Sequence, residues 1–217
     1  HMHLWKEPGG AENKCCSTES LEAARKTAYQ LGMSFHTVDL GKVFKKKVVD
    51  YFLDAYSAGL TPNPCVMCNR FIKFGELFDY VQKIGFDYLA TGHYARIKDG
   101  YLLQAKDKNK DQTYFLYNLT KKKLNHVLFP VGDHLKKQVW KVAKKWQLPV
   151  AERPESQEIC FFPESDYRSF LKRRLFKKIK PGEVVDIKDR VIGRHKGISL
   201  YTIGQRHGFE ITDPKVL

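Results

Sequence analysis

Residues 61–74, TPNPCVMCNRFIKF, set two cysteines, Cys65 and Cys68, three apart behind Pro62 and Pro64. The chain has only five cysteines, so the pairing needs a reason. A CxxC spacing has three chemical uses: a redox dithiol, half of a zinc site, or thiolate ligands of an iron–sulfur cluster. Structural zinc wants four N or S ligands, and the sequence offers no second CxxC and no His-x₃₋₅-His pair to complete one. Cys15 and Cys16 are adjacent, poorly placed to fill two corners of a tetrahedron, and receive no role. Cys160 lies far downstream in QEICFF. Three unrelated buried cysteines are the plain alternative. The two prolines stiffen a loop in front of the pair, so the geometry there is expected to matter.

Composition narrows the partners. Of 217 residues, 42% are hydrophobic and 29% charged, a globular balance that fits one large domain or two small ones. No run of 18 apolar residues exists, and the opening HMHLWKEPGG lacks the layout of a secretory leader, so no membrane association is expected. With an odd cysteine count, this points to a reducing cytoplasm. The formal charge is +14, and residues 121–180 hold 16 Lys and Arg against 6 Asp and Glu, a net +10. A charge so concentrated favours a polyanion, nucleic acid first, over a merely solvated lysine-rich face. Lys172, Arg173 and Arg174 are candidate phosphate contacts. In KKQVWKVAKKW (136–146), Val139, Trp140, Val142 and Ala143 read as a stripe facing the core.

Residues 17–32 read as a helix capped by Ser17 or Thr18 and stopped at Gly32. MSFHTVDL (33–40) alternates as a strand does. A helix over about 43–58 stops at Gly59, the CxxC sits in a Pro-rich loop, and a third helix covers 70–84. DYLATGHY (87–94) reads as a short buried strand. Helices alternating with short apolar strands imply an α/β layer on a parallel sheet. ARIKDGYLLQA then reads as a hairpin about Asp99-Gly100. Residues 113–178 read as mostly helical and basic, and 181–208 as a small β module. The expected units are 1–112, 113–180 and 181–217.

TGHY (91–94) alone is a weak signal. In KDQTYFLYNL (110–119), Tyr114, Phe115 and Tyr117 are either stacking partners for a nucleic acid or core residues of a capped helix, and the core reading is preferred. The order is the strong signal: TPNPCVMCN with IKF, ATGHYARI, KDQTYFLYNL, LFPVG, ESQEICFF, YTIGQRHG. Along essentially the whole chain it resembles the tRNA-specific 2-thiouridylases, adenine nucleotide α-hydrolase-like (PP-loop) enzymes.

The resemblance implies the following. Such enzymes activate the C2 oxygen of a wobble uridine with ATP and Mg²⁺, and a persulfide sulfur then displaces AMP. Cys160 matches the persulfide carrier and Cys68 its partner nucleophile. Basic surroundings are expected to hold these thiols as thiolates. Asn63, Pro64 and Cys65 match the triplet that contacts the target base, Gly92 a nucleotide contact, and Met2 a residue near the adenine. His93, Lys110, Asp111 and Gln112 match tRNA contacts. A protein sulfur donor is the further partner.

There are three departures. The SGGxDS pyrophosphate loop expected ahead of HLWKE is not among the 217 residues, so the α/β layer reads as lacking its first unit and the chain as a fragment that binds ATP poorly. The C-terminal β domain is only begun. Cys65 stands where many relatives carry Asp. Two readings of that residue stay open. Cys65, Cys68 and Cys160 ligate a [4Fe–4S] cluster with one open iron, or Cys65 is a bystander beside a persulfide pair. A non-catalytic tRNA-binding fragment is a further alternative.

Overall fold

The computed structural model describes residues 1–7, 17–149, 151, 159–162, 166–208 and 210–211; Cys15 and Cys16 lie outside them. Two parallel strand pairs carry the α/β layer. β1 (Met2–His3) pairs with β2 (Val38–Asp39), Met2 opposite Val38. Parallel neighbours need a crossover, and α1 (Thr18–Gln30) lies between them. Ser17 Oγ caps α1 by accepting from Ser20 N at 3.1 Å, as the sequence implies. β3 (Leu89–Ala90) pairs in parallel with a later strand, β6 (Val127–Leu128). Between them β4 (Ala95–Lys98) and β5 (Tyr101–Gln104) form the expected hairpin. Asp99 (φ 52°) and Gly100 (φ 74°) give its turn the double left-handed backbone of a tight hairpin.

Three readings change. The strands at 33–40 and 87–94 shrink to two paired residues each, and Met33 points its apolar bulk to solvent instead of a core. Residues 113–178 are less helical than expected: α4 (Lys121–Leu124) gives way at once to β6, whose two residues are too few to show alternation. The helix α5 (Lys136–Lys145) buries none of its residues, so Val139, Trp140, Val142 and Ala143 are not a core stripe. Trp140, Val142 and Trp146 are each about half exposed amid lysines.

α2 is a composite of Gly41–Phe44, the π-type turn Lys45–Val49 and Asp50–Ser57, ended at Gly59 with φ 75°. α3 likewise runs through Pro64–Met67, Cys68–Glu76 and Leu77–Lys83. The CxxC is therefore helical, not a loop. Asn63 is the reason: its side chain accepts from Val66 N at 3.2 Å, and Pro64 follows at the first helical position. Gly75 (φ −107°, ψ −105°) breaks α3 past its midpoint.

One cluster of buried aromatics joins these parts. Trp5, Phe44 and Phe52 meet Phe161, Phe162 and Phe170, the last on α6 (Tyr167–Leu175). Beyond α6, β7 (Gly182–Val185), β8 (Val191–His195) and β9 (Glu210–Ile211) form the expected antiparallel module. Arg173 and Arg174 turn out to serve the fold. Glu7 is buried, and its carboxylate accepts from Arg173 Nη2 at 2.6 Å, with Arg174 Nη1 at 3.9 Å. Among the described residues no helix is long and apolar enough to cross a membrane.

The LFPVG segment touches β4 backbone to backbone. A Cβ on Gly132 would sit 1.7 Å from Ala95 O, while Gly132 O accepts from Lys106 N at 2.9 Å. Gly132→Ala is expected to cost at least about 2 kcal/mol of unfolding free energy in urea denaturation. Gly92→Ala, with nothing within 4 Å of its added Cβ, should stay within about 0.5 kcal/mol of the parent. Equal stabilities would contradict the close approach.

Candidate active site

The capped start of α3 presents Cys65 to solvent and leaves Cys68 half-buried. Cys68 packs on the aromatic cluster that also contains Phe161, Phe162 and, at its edge, Ile159. The two residues after Cys160 are thus the pegs that bring it to α3. All three cysteines are thiols, close enough for their charges to act on one another. Burial pushes the Cys65 thiol up, a Cys160 thiolate pushes it further, and Lys73 opposes both. Burial pushes Cys68 up to about 12, against the pull of Lys73 and with added repulsion from Cys160 and Cys65. The expected thiolate is therefore corrected for Cys68: one nearby ammonium does not offset desolvation, and the excess of lysines elsewhere is too distant. Among the described residues no three His, Cys, Asp or Glu side chains converge on one metal-ion position.

Lys73 is the residue the sequence reading passed over. Its Nζ lies 3.4 Å from His93 Nε2, and His93 Nδ1 lies 2.8 Å from Thr91 Oγ1. Lysine only donates, so Nε2 accepts and Nδ1–H donates to the threonine. Burial, then Lys73, lowers the His93 pKa to about 3, which keeps the imidazole neutral. The ring is enclosed by Phe74 and Phe129. His93 is thus a buried brace that aims Lys73. Its spacing in IKF, two turns past Cys65, was the available signal.

KDQ divides by role. Asp111 Oδ1 accepts from Ala105 N at 2.7 Å, and its Oδ2 accepts from Thr113 Oγ1 at 2.5 Å. Gln112 Oε1 accepts from Tyr94 N at 3.0 Å, and Gln112 N donates to Tyr94 O. Both therefore shape the loop. Lys110 instead lines an open concavity with Lys136, Lys137 and Trp140. Tyr114 and Tyr117 are 59% and 70% exposed, so the core reading of these two aromatics fails. Tyr114 packs tilted by 37° against Phe115, centroids 3.9 Å apart, and desolvation, then the charge of a Cys65 thiolate, pushes its phenol up. An exposed ring stands beside the exposed thiol. Gly92 follows β3 with open space where a side chain would be, whereas Met2 packs against the aromatic cluster.

Parallel strand pairs with crossover helices, a cysteine cluster at one helix start and an antiparallel module behind define a two-part α/β protein. The model described as "tRNA methyl transferase HUP domain" matches residues 1–164, and "tRNA methyl transferase PRC-barrel domain" matches 168–216. The chain belongs to this family, whose HUP part is the PP-loop-like α/β layer read from the sequence. Among curated relatives, "tRNA-specific 2-thiouridylase MnmA 1" of Caldanaerobacter subterraneus subsp. tengcongensis is 47% identical across 100% of this chain and 62% of its own length. The "tRNA-specific 2-thiouridylase MnmA" proteins of Carboxydothermus hydrogenoformans and Clostridioides difficile are 48% and 46% identical over 89% and 97% of the chain, and 55% and 61% of their own lengths. The chain thus spans roughly three-fifths of the length of these relatives.

Lys73→Met should slow iodoacetamide alkylation of Cys65 at pH 8, because loss of the ammonium raises the thiol pKa further; Lys73→Arg should restore the rate. Mass-spectrometric rates that ignore both changes would remove Lys73 from the site. His93 gives a pH signature. Unfolded, it takes up a proton near 6.5; folded, it resists until about 3. Below pH 6.5 the unfolded state therefore binds the extra proton, and stability falls with pH by up to about 1.4 kcal/mol per unit. His93→Gln should flatten urea-derived stabilities between pH 7 and 4.5.

Proposed function

We propose that the protein thiolates the wobble uridine of tRNA at C2, with Cys160 as sulfur carrier and Cys68 as its partner. The observation that supports this most is the nearness of Cys160 to both Cys65 and Cys68, with Lys73 acting on the latter two and the exposed ring of Tyr114 beside Cys65. ATP with Mg²⁺ supplies adenylation of the C2 oxygen. Gly92, open above the end of β3, fits the close approach of a nucleotide. Met2 offers an apolar neighbour to the adenine. A protein persulfide donor charges Cys160.

The outer persulfide sulfur bonds to C2 as the C2–O bond breaks and AMP leaves. A Cys68 thiolate then attacks the Cys160 sulfur. The bond to the outer sulfur breaks, its electron pair stays with the thiolated base, and a Cys68–Cys160 disulfide remains. A cellular thiol reductant returns two electrons to that disulfide. A thiol raised to about 12 suits this order, since Cys68 stays protonated and spares the persulfide until the base has reacted. Lys73 then stabilises the thiolate as it forms.

In this reading Asn63, Pro64 and Cys65 border the target base, and Tyr114 stacks on it. Residues 113–180 form the tRNA-binding region between an α/β catalytic part (1–112) and a β part (181–217). Lys110, Lys136, Lys137 and Trp140 fit phosphate and stacking contacts, and His93 acts on the RNA through Lys73. The nearness of Cys65 to Cys160 favours a second reading, in which the three thiolates ligate a [4Fe–4S] cluster.

Cys160→Ser in the whole protein should abolish 2-thiouridine formation while tRNA binding, read by anisotropy, stays intact. Turnover of the parent should leave a Cys68–Cys160 disulfide in peptide maps. Residual thiolation would overturn the carrier role. Roughly four irons per chain after anaerobic purification, lost in Cys65→Ala, would replace the persulfide reading by the cluster.

A further inference from the structure

YTIGQRHG (201–208) plays no part in the chemistry above, yet it touches the stretch that leads into α3. Ile203 N donates to Thr61 Oγ1 at 3.1 Å, two residues ahead of the capping Asn63. One residue earlier, Thr202 Oγ1 lies 3.0 Å from the Tyr167 hydroxyl and 3.5 Å from that of Tyr56. The two phenol rings stack, centroids 5.1 Å apart. Ile198 completes the junction, since a Cβ on Gly59 would come within 3.0 Å of its Cδ1. Residues 198–203 therefore meet the end of α2 and the start of TPNPC at Tyr56, Gly59 and Thr61.

The loop is itself held in shape. Arg168 on α6 donates through Nε to Leu200 O at 2.9 Å and through Nη2 to Gln205 Oε1 at 3.2 Å. The same Gln205 oxygen accepts from Thr202 N at 3.2 Å, and Gly204 takes a left-handed φ of 84°. With its neighbours already ordered, Ile203 N–H reaches Thr61 at little further entropic cost, which offsets competition from water.

We infer that Thr61 is a positioning residue for the thiols: through its bond to Ile203, the β-module loop fixes where α3 begins relative to Cys160. The inference rests on the thiolation reading above. Only Pro62 stands between the tether and Asn63, and Pro64 follows. Proline fixes its own φ and restricts the residue before it, so Thr61 and Asn63 have few soft torsions left. Asn63 is extended, φ −110° and ψ 92°. A tether at Thr61 therefore carries through to the cap and to Cys65 and Cys68 behind it. Cys160 is anchored separately, by Phe161 and Phe162 in the aromatic cluster. The approach of Cys160 to α3 thus depends on both anchors. Thr61 is exposed, so its side chain can be changed with little effect on the core.

The test compares Thr61→Val, which cannot accept the bond, with Thr61→Ser, which can, in the whole protein. Thr61→Val should lower kcat for 2-thiouridine formation on the order of five-fold, with KM for tRNA and melting temperature unchanged, and Thr61→Ser should restore it. A second readout needs no RNA. Dibromobimane bridges neighbouring thiols, and peptide maps separate Cys65–Cys68 bridges, internal to α3, from bridges to Cys160. Thr61→Val should lower the share of Cys160 bridges, and Thr61→Ser should recover it. An unchanged share overturns the positioning role, whatever kcat does. A lowered share in a protein whose parent thiolates no tRNA keeps the positioning role and overturns the thiolation reading.

Discussion

The position of Cys160 depends on the packing of two rings. Phe161 meets Phe52 edge-on at 5.4 Å and Phe162 stacks on Phe170 at 5.3 Å, all four side chains essentially buried. Burial of a phenylalanine contributes about 1.5–3 kcal/mol, and each aromatic pair about 0.5–1.5 more. That is enough to hold residues 159–162 against the core. Because Phe52 belongs to α2 and Phe170 to α6, the same contacts join the α/β layer to the segment before the β module. Trp5, at the end of β1, closes the cluster against Phe161 and Phe170. The placement of Cys160 beside α3 is therefore anchored in the core through Phe161 and Phe162.

Electrostatics around the thiols run against the charge of the whole chain. A net +14 suggests easily ionised cysteines. Exposed charges are screened within about 10 Å, however, while desolvation acts at the sulfur itself. Among the described residues only Lys73 opposes it at Cys68, and its aim is fixed by a histidine that is itself too buried to titrate near neutrality. The rest of the positive charge serves another purpose. α5 buries none of its residues, and its Lys136, Lys137 and Trp140 line an open concavity beside Lys110. A helix with that surface contributes little to a core.

The parts of the fold legible in the sequence were those with local causes. Ser17 caps α1, Gly32 and Gly59 close helices with left-handed backbone, and Asp99-Gly100 turns a hairpin. The misread parts depend on partners distant in sequence. β6 exists only because Leu89 and Ala90 lie opposite Val127 and Leu128. At the site, the cysteines were legible from their spacing and from the motif order. The division of KDQ into one outward lysine and two inward braces was not, because it depends on Tyr94 and Ala105 across the hairpin. Lys73 was hidden for the same reason: a lysine in IKF looks like any helical surface residue until His93 is placed against it.

α3 shows why these features occur together. A regular helix started by Asn63 would place Cys65, Asn69 and Lys73 in a column down one face and would close every backbone carbonyl. The π-type stretch Cys68–Glu76 and the break at Gly75 disturb that column after its first turn. Such irregularities in a helix cost hydrogen bonds and are concentrated at functional sites. Here they leave Phe74 O to be satisfied by Lys123 and open a cavity beside Asn69. An added Cβ at position 75 would press to 3.1 Å from Arg70 O, a tight contact that glycine avoids. The cap therefore fixes the thiols, while the break makes room beside Asn69, and one helix builds both the cysteine pair and the cavity.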